Sequence, residues 1–264
     1  MKIFLILPPF CDKILYFRMK NIPNFITSLN LGTGFIAIIY ASNGDLVTAS
    51  WLILAAMVFD FLDGFSARLL KAYSDIGKEL DSLADVVSFG VAPAVILYQL
   101  LHLSYLLYAP DASEHLGFPL LIMLFVPAVM PVFSALRLAR FNTDATQATV
   151  FKGLPMPANA LGVISLVIAA HYTQSNLLNF ILITPYLLVA VSFILSLLMV
   201  SRLPLLSMKV KNLKLKGNEG RYLLAGLVVI SFILFGLSAA PLIIPLYILS
   251  SLTGFLFGKT TPAG

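Results

Sequence analysis

Charge is what this chain has least of. Asp, Glu, Lys and Arg make up 11% of its 264 residues, 59% are hydrophobic, and the mean hydropathy is +0.96. Soluble domains carry about 25% charged residues, so no soluble domain of any size is expected. Cysteine occurs once, as Cys11, which excludes an internal disulfide framework. The three histidines, His102, His115 and His171, are scattered without ligand spacing, which argues against a histidine-held metal. A basic groove interleaved with aromatics is also missing, and the net charge of +5 is dispersed over loops, so a nucleic-acid partner is not expected.

What the chain has in abundance is apolar sequence of membrane-spanning length. Such segments run at 25–42, 46–65, 83–107, 117–136, 154–172, 178–200, 222–238 and 240–257, and about 20 apolar residues cross a bilayer. An all-α integral membrane protein with eight helices is expected, the last two parted only by Ser238 to Pro241. All 17 Lys and Arg fall on one side of this arrangement, while the opposite loops carry Asp45, Asp111 and Glu114 and no cation. The positive-inside rule places both termini in the cytoplasm. Residues 3 to 10 are apolar but are broken by Pro8 and Pro9 and lack a small-residue cleavage site, so no signal peptide is read.

Against this background, four carboxylates stand out. Asp60 and Asp63 end one apolar run, and Asp81 and Asp85 open another. On insertion scales each costs about 2.5–3.5 kcal/mol in a membrane, so the cluster calls for a function. Spacings of three and four put each pair on one helix face, and Leu70 to Ser74 is short enough for a tight turn that lets the faces converge. Oxygen ligands around one small space suit a hard divalent cation such as Mg²⁺ or Mn²⁺. Gly64 and Gly77 leave room for a bulky group beside the backbone. Arg68, one turn beyond Gly64, is placed for an anionic ligand. Asp75 and Glu79 lie off this pattern and are read as solvating the turn or pairing with Arg68, Lys71 or Lys78.

The register Asp60-x-x-Asp63-Gly64-x-x-Ala67-Arg68, then eight residues, then Gly77-x-x-x-Asp81-x-x-x-Asp85 resembles the signature of the CDP-alcohol phosphotransferases. These are integral membrane enzymes that move a phosphatidyl group from a cytidine diphosphate lipid onto an alcohol. Three further segments, Val87 to Ala94, Arg137 to Asn142 and Phe151 to Ala158, look like the phosphatidylserine synthase branch. Ser201 to Lys209 is similar to the cytoplasmic loop of bacterial members. Met19-Lys20-Asn21-Ile22-Pro23-Asn24 resembles the usual start of the family, so residues 1 to 18 are read either as an extension or as a misplaced start.

The resemblance implies two cations, Mg²⁺ or Mn²⁺, on Asp60, Asp63, Asp81 and Asp85, with Asp85 also the general base. It implies CDP-diacylglycerol as donor, L-serine as acceptor and CMP as leaving group. It places Gly64, Ala67, Arg68 and Gly77 against the cytidine diphosphate and, as weaker matches, Asn24 and Thr27 nearby. It also implies a homodimer, in a prokaryotic inner membrane and with its active site facing the cytoplasm. A serine carboxylate needs cations, and outside the signature Arg137, Arg140 and Lys152 lie on the site's side, with Asn142 as a neutral partner. These cations are equally well read as anchors at anionic headgroups.

The expected organisation is an N-terminal cytoplasmic extension at 1–20, a six-helix catalytic core at 21–201, a basic loop at 202–221, a C-terminal helix pair at 222–257 and a tail at 258–264. Two other functions fit part of the pattern. The same donor chemistry serves other alcohols, such as glycerol phosphate or inositol. A divalent-cation transporter would explain intramembrane Asp residues, but gains nothing from Arg68 beside them.

Overall fold

The computed structural model describes residues 21–108, 118–143, 153–203, 205–206 and 218–257. All regular structure among them is helical. In chain order the elements are α1 (Ile22–Ser42), α2 (Leu46–Leu69), α3 (Asp75–Asp85), a π-helical segment (Val86–Val91) and α4 (Ala92–Tyr108). Then follow α5 (Phe118–Phe125), a 3₁₀ turn (Val126–Ala128), α6 (Val129–Thr143), α7 (Met156–Tyr172), α8 (Asn176–Ile183) and α9 (Pro185–Val200). The last elements are α10 (Glu219–Phe235), a 3₁₀ segment (Gly236–Leu242) and α11 (Ile243–Phe257).

Small residues decide the tightest packing. Gly34, Ala37 and Ala41 on α1 and Ala49 and Ala56 on α2 are buried and recur at near-helical spacing. Stripes of small side chains let two backbones approach closely in lipid, where burial of apolar surface gives helices no reason to associate. The α1–α2 hairpin turns at Asn43 to Asp45, where the Thr48 amide donates to Asp45 Oδ1 (3.0 Å) and caps α2. That bond holds the Asp45 carboxyl below its ordinary range.

Each of the eight apolar segments falls on helix, yet eight straight spans are not what forms. Among the described residues, five helical runs are long and apolar enough to cross a membrane, six if the bent α8–α9 pair is one span. The 178–200 segment, expected as a single helix, is α8 and α9 meeting at 87°. Pro185 has no amide to continue the ladder and pushes Thr184 into extended backbone. The segment at 154–172 gives a helix of only 17 residues. The final run, Glu219–Thr253, folds back on itself after Gly236 (φ 55°), since a Cβ on Gly220 at its start would lie 3.2 Å from the Ser250 carbonyl oxygen near its end.

Helix three also begins earlier than its apolar core, because Ser74 caps the Gly77 amide through its Oγ (3.0 Å) and starts the helix at Asp75. The continuous run Asp75–Leu107 has 33 residues, about 50 Å at 1.5 Å each. The hydrocarbon layer is about 30 Å thick, so α3, with its charged residues, extends beyond it.

Contacts between distant residues sort the helix ends into two groups. Gln99 Nε2 donates to the Ser42 carbonyl (2.9 Å) and Ser104 Oγ to that of Ile183 (2.7 Å), which gathers one set of ends around Asp45. The start of α1, the end of α2 and the start of α3 meet at the other end, where the carboxylates lie.

Candidate active site

The two acidic helices do not pack tightly on each other; both lie on α1, which forms the floor between them. This is possible because the chain between them is compact: Lys71 takes a left-handed conformation (φ 51°) and the Ala72 amide returns to the Ala67 carbonyl (3.0 Å). The expected tight turn at Leu70 to Ser74 is therefore present. It holds the acidic faces a short distance apart.

One cleft of about 210 Å³ opens in that gap. It is lined by Asn24 and Thr27 from α1, by Asp63, Gly64 and Ala67 from α2, and by Gly77 and Asp81 from α3. Seven residues singled out in the sequence thus meet on one surface. A Cβ on Gly64 would meet nothing within 4 Å, so this glycine borders open space. Gly77 is different, being pressed against the Asn24 carboxamide.

The carboxylates form two tiers. Asp63 and Asp81 line the cleft, and Asp60 and Asp85 lie one turn deeper along their helices. Ligand atoms of Asp60, Asp63 and Asp81 all lie within 4.8 Å of one another. Asp60 is within hydrogen-bonding reach of both Asp81 and Asp85, so the inner tier is joined to the outer. Thr27 reaches Asp63, while its hydroxyl also lies 3.0 Å from the Pro23 carbonyl. Asp63 Oδ2 and Asp85 Oδ1 are buried without a hydrogen-bond partner. Orphaned buried carboxylate oxygens are costly, and an oxygen-liganded divalent cation satisfies them. The donor set therefore fits a metal.

Arg68 departs from expectation. It is exposed and its Nε donates to the Gly64 carbonyl (3.0 Å), so it stands at the rim and does not line the cleft. The acceptor candidates divide. Arg137 on α6 is half-buried, and its charge acts on Asp85. Arg140 is exposed on the next turn, and Asn142 lies in the last turn of α6. Lys152 is outside the described residues, as are Cys11, Asp111, Glu114, His115, Lys209, Lys211, Lys214, Lys216 and Lys259. The expected role of Gly153 to Pro157 in shaping the entry of a helix has a structural basis, since Gly153 is left-handed (φ 80°) and hemmed in by the Met199 and Ser201 carbonyls.

The family model for CDP-alcohol phosphatidyltransferase matches residues 20–200. The chain belongs to that family. It is 36% identical over 177 residues to the CDP-diacylglycerol--serine O-phosphatidyltransferase of Helicobacter pylori (strain ATCC 700392 / 26695), covering 64% of this chain and 69% of the relative. It is 36% identical over 165 residues to the protein of the same name from Methanocaldococcus jannaschii, covering 62% and 68%. It is 33% identical over 155 residues to the archaetidylserine synthase of Methanothermobacter thermautotrophicus, covering 58% and 60%.

This CDP-alcohol phosphatidyltransferase also lines its cleft with Pro23, Ala72, Tyr73, Ser74 and Lys78, which the sequence did not single out. Lys78 was read as solvating the turn, although its place beside Gly77 was a usable signal. Ser74 was visible too, as a cap residue three positions before Gly77.

Proposed function

We propose that the chain transfers the phosphatidyl group of CDP-diacylglycerol to the hydroxyl of L-serine, giving phosphatidylserine and CMP. The observation that carries the reading is the convergence of Asp63, Gly64, Ala67, Gly77 and Asp81 on one cleft, with Asp60 and Asp85 directly beneath. The serine acceptor is supported by the names of the Helicobacter and Methanocaldococcus relatives.

In this reading Asn24, Thr27 and the open face at Gly64 receive the cytidine diphosphate, with Lys78 and Arg68 at the rim for its charge. Asp60, Asp63, Asp81 and Asp85 hold two divalent cations, Mg²⁺ or Mn²⁺, which when bound neutralise charge on the diphosphate. Serine enters on the Asp85 side, where Arg137, helped by Arg140, Asn142 and Lys152, receives its carboxylate. Asp85 accepts the hydroxyl proton as the serine oxygen attacks the phosphorus bearing the diacylglycerol. The new P–O bond forms, the anhydride bond breaks, and the electron pair leaves with CMP.

The proposal places the cleft in the cytoplasm, at the inner membrane of a prokaryotic cell. In support, the described cations Arg68, Lys71, Lys78, Arg137, Arg140, Arg202 and Arg221 flank the helix ends that carry the cleft or the same-side loops. The homodimer that the resemblance implies is part of the same proposal, and light scattering in detergent measures it.

The deciding experiment is an acceptor panel of serine, glycerol phosphate and inositol with purified protein, Mg²⁺ or Mn²⁺ and a CDP-lipid, read by product mass. An archaetidyl donor belongs in the panel because one relative carries that name. Phosphatidylserine with release of CMP is expected. Product from another alcohol and none from serine overturns the acceptor assignment. Cation uptake into proteoliposomes without CMP release overturns the enzyme.

A further inference from the structure

The family match ends at residue 200, and α10 and α11 lie beyond it. A pair of helices added only for anchorage would have no reason to reach the catalytic end of the molecule. This pair does reach it. The Leu206 amide donates to Ser251 Oγ (3.2 Å) and the Leu206 carbonyl accepts from the Tyr247 hydroxyl (2.8 Å), so α11 grips the chain just past α9. Upstream in that gripped stretch, the Leu198 and Leu203 carbonyls accept from the Leu154 and Gly153 amides (2.9 and 3.0 Å), at the entry of α7.

Tyr247 is only 5% exposed. Its proton is committed to Leu206, which fixes the O–H direction and leaves the oxygen lone pairs for another group. The neighbouring cation is Arg137, close enough for the two groups to act on each other. Arg137 Nε is buried and has no hydrogen-bond partner, and the Arg137 charge acts in turn on Asp85. A long flexible side chain beside a carboxylate it is not bonded to needs a third group to hold its plane.

We propose that the C-terminal helix pair is part of the acceptor site, with Tyr247 acting as a positioning residue that orients Arg137 for the acceptor carboxylate. The assignment rests on the serine reading above. It gives the helix pair a role in acceptor selection that the donor signature does not supply.

The test is steady-state kinetics of the full chain in detergent micelles with serine and CDP-diacylglycerol both varied. Tyr247→Phe keeps the ring and its packing, and should raise the serine KM by about 3- to 10-fold, the worth of one modest polar contact, with donor KM unchanged. In an Arg137→Gln background the same change should add nothing. Ser251→Ala loosens the hold on Leu206 but leaves the Tyr247 hydroxyl beside Arg137, and should keep the wild-type serine KM.

An unchanged serine KM in Tyr247→Phe, full additivity with Arg137→Gln, or an equal rise in Ser251→Ala each overturns the positioning role. The acceptor panel is run first on the wild type. If another alcohol reacts in place of serine, the serine assignment falls separately, and the same comparison on that alcohol's KM decides the role of Tyr247.

Discussion

Gly77 is pressed against Asn24. A Cβ on Gly77 would lie 2.7 Å from Asn24 Oδ1 and 2.9 Å from Ser74 Oγ, closer than real contacts allow. The glycine is thus a spacer that sets how near α3 comes to α1. Across the cleft, Gly64 has empty space where its side chain would be.

The two glycines should respond oppositely to the same change. Gly77→Ala overpacks and should cost about 1–3 kcal/mol, lowering the melting temperature and weakening donor binding through displaced Asn24. Gly64→Ala meets no neighbour, and alanine is better in a helix by about 1 kcal/mol, so stability should hold or rise while the methyl group raises the donor KM. Thermal unfolding in detergent with donor titration measures both. Equal losses of stability would refute the contrast.

Asp85→Asn should lower turnover by about 10²–10⁴-fold, the usual worth of a general base, and leave CDP-diacylglycerol binding largely intact. Asp81→Asn lines the cleft and should weaken metal and donor binding together. Isothermal titration alongside single-turnover rates separates them, and near-normal turnover in Asp85→Asn removes the base assignment.

Orientation is tested by labelling. In a Cys11→Ser background, cysteines at Lys71 and Lys214 should be shielded from a membrane-impermeant thiol reagent in intact cells, and cysteines at Asp45 and Asp111 should react. The reverse pattern would move the cleft to the other side of the membrane.

For the acceptor, a charge-assisted hydrogen bond is worth about 1.5–3 kcal/mol, so losing one should raise the serine KM by about 10- to 150-fold with donor KM steady. Arg137→Gln should show the largest rise, because Arg137 alone of the described candidate cations is half-buried and acts on Asp85. Arg140→Gln and Lys152→Gln complete the set. If all three keep the wild-type serine KM, the carboxylate is bound elsewhere.

Much of the site was legible because helical periodicity is a local property. Spacings of three and four put Asp60 with Asp63 and Asp81 with Asp85 on common faces, and the polar stretch between them read as a turn. What could not be read was relative depth, since the division into an outer and an inner tier depends on how α2 and α3 lie against α1. The bend at Thr184 was masked by an unbroken apolar run, although Pro185 marked it. Arg68 was misjudged because its guanidinium bonds to its own helix at Gly64, which no spacing rule foretells. Tyr247 was invisible, separated from Arg137 by more than 100 residues and outside every motif.

The overhang of α3 beyond the hydrocarbon layer has a kinetic meaning. The cleft lies at the level of the headgroups, so a lipid held there by its diphosphate keeps its acyl chains among those of its neighbours. Donor arrives and product departs by lateral diffusion within one leaflet, and only CMP and the polar alcohol exchange with water. The quantity that governs saturation by donor is then its mole fraction in the bilayer. Diluting the lipid with inert phospholipid should slow the enzyme even when the bulk concentration is held fixed.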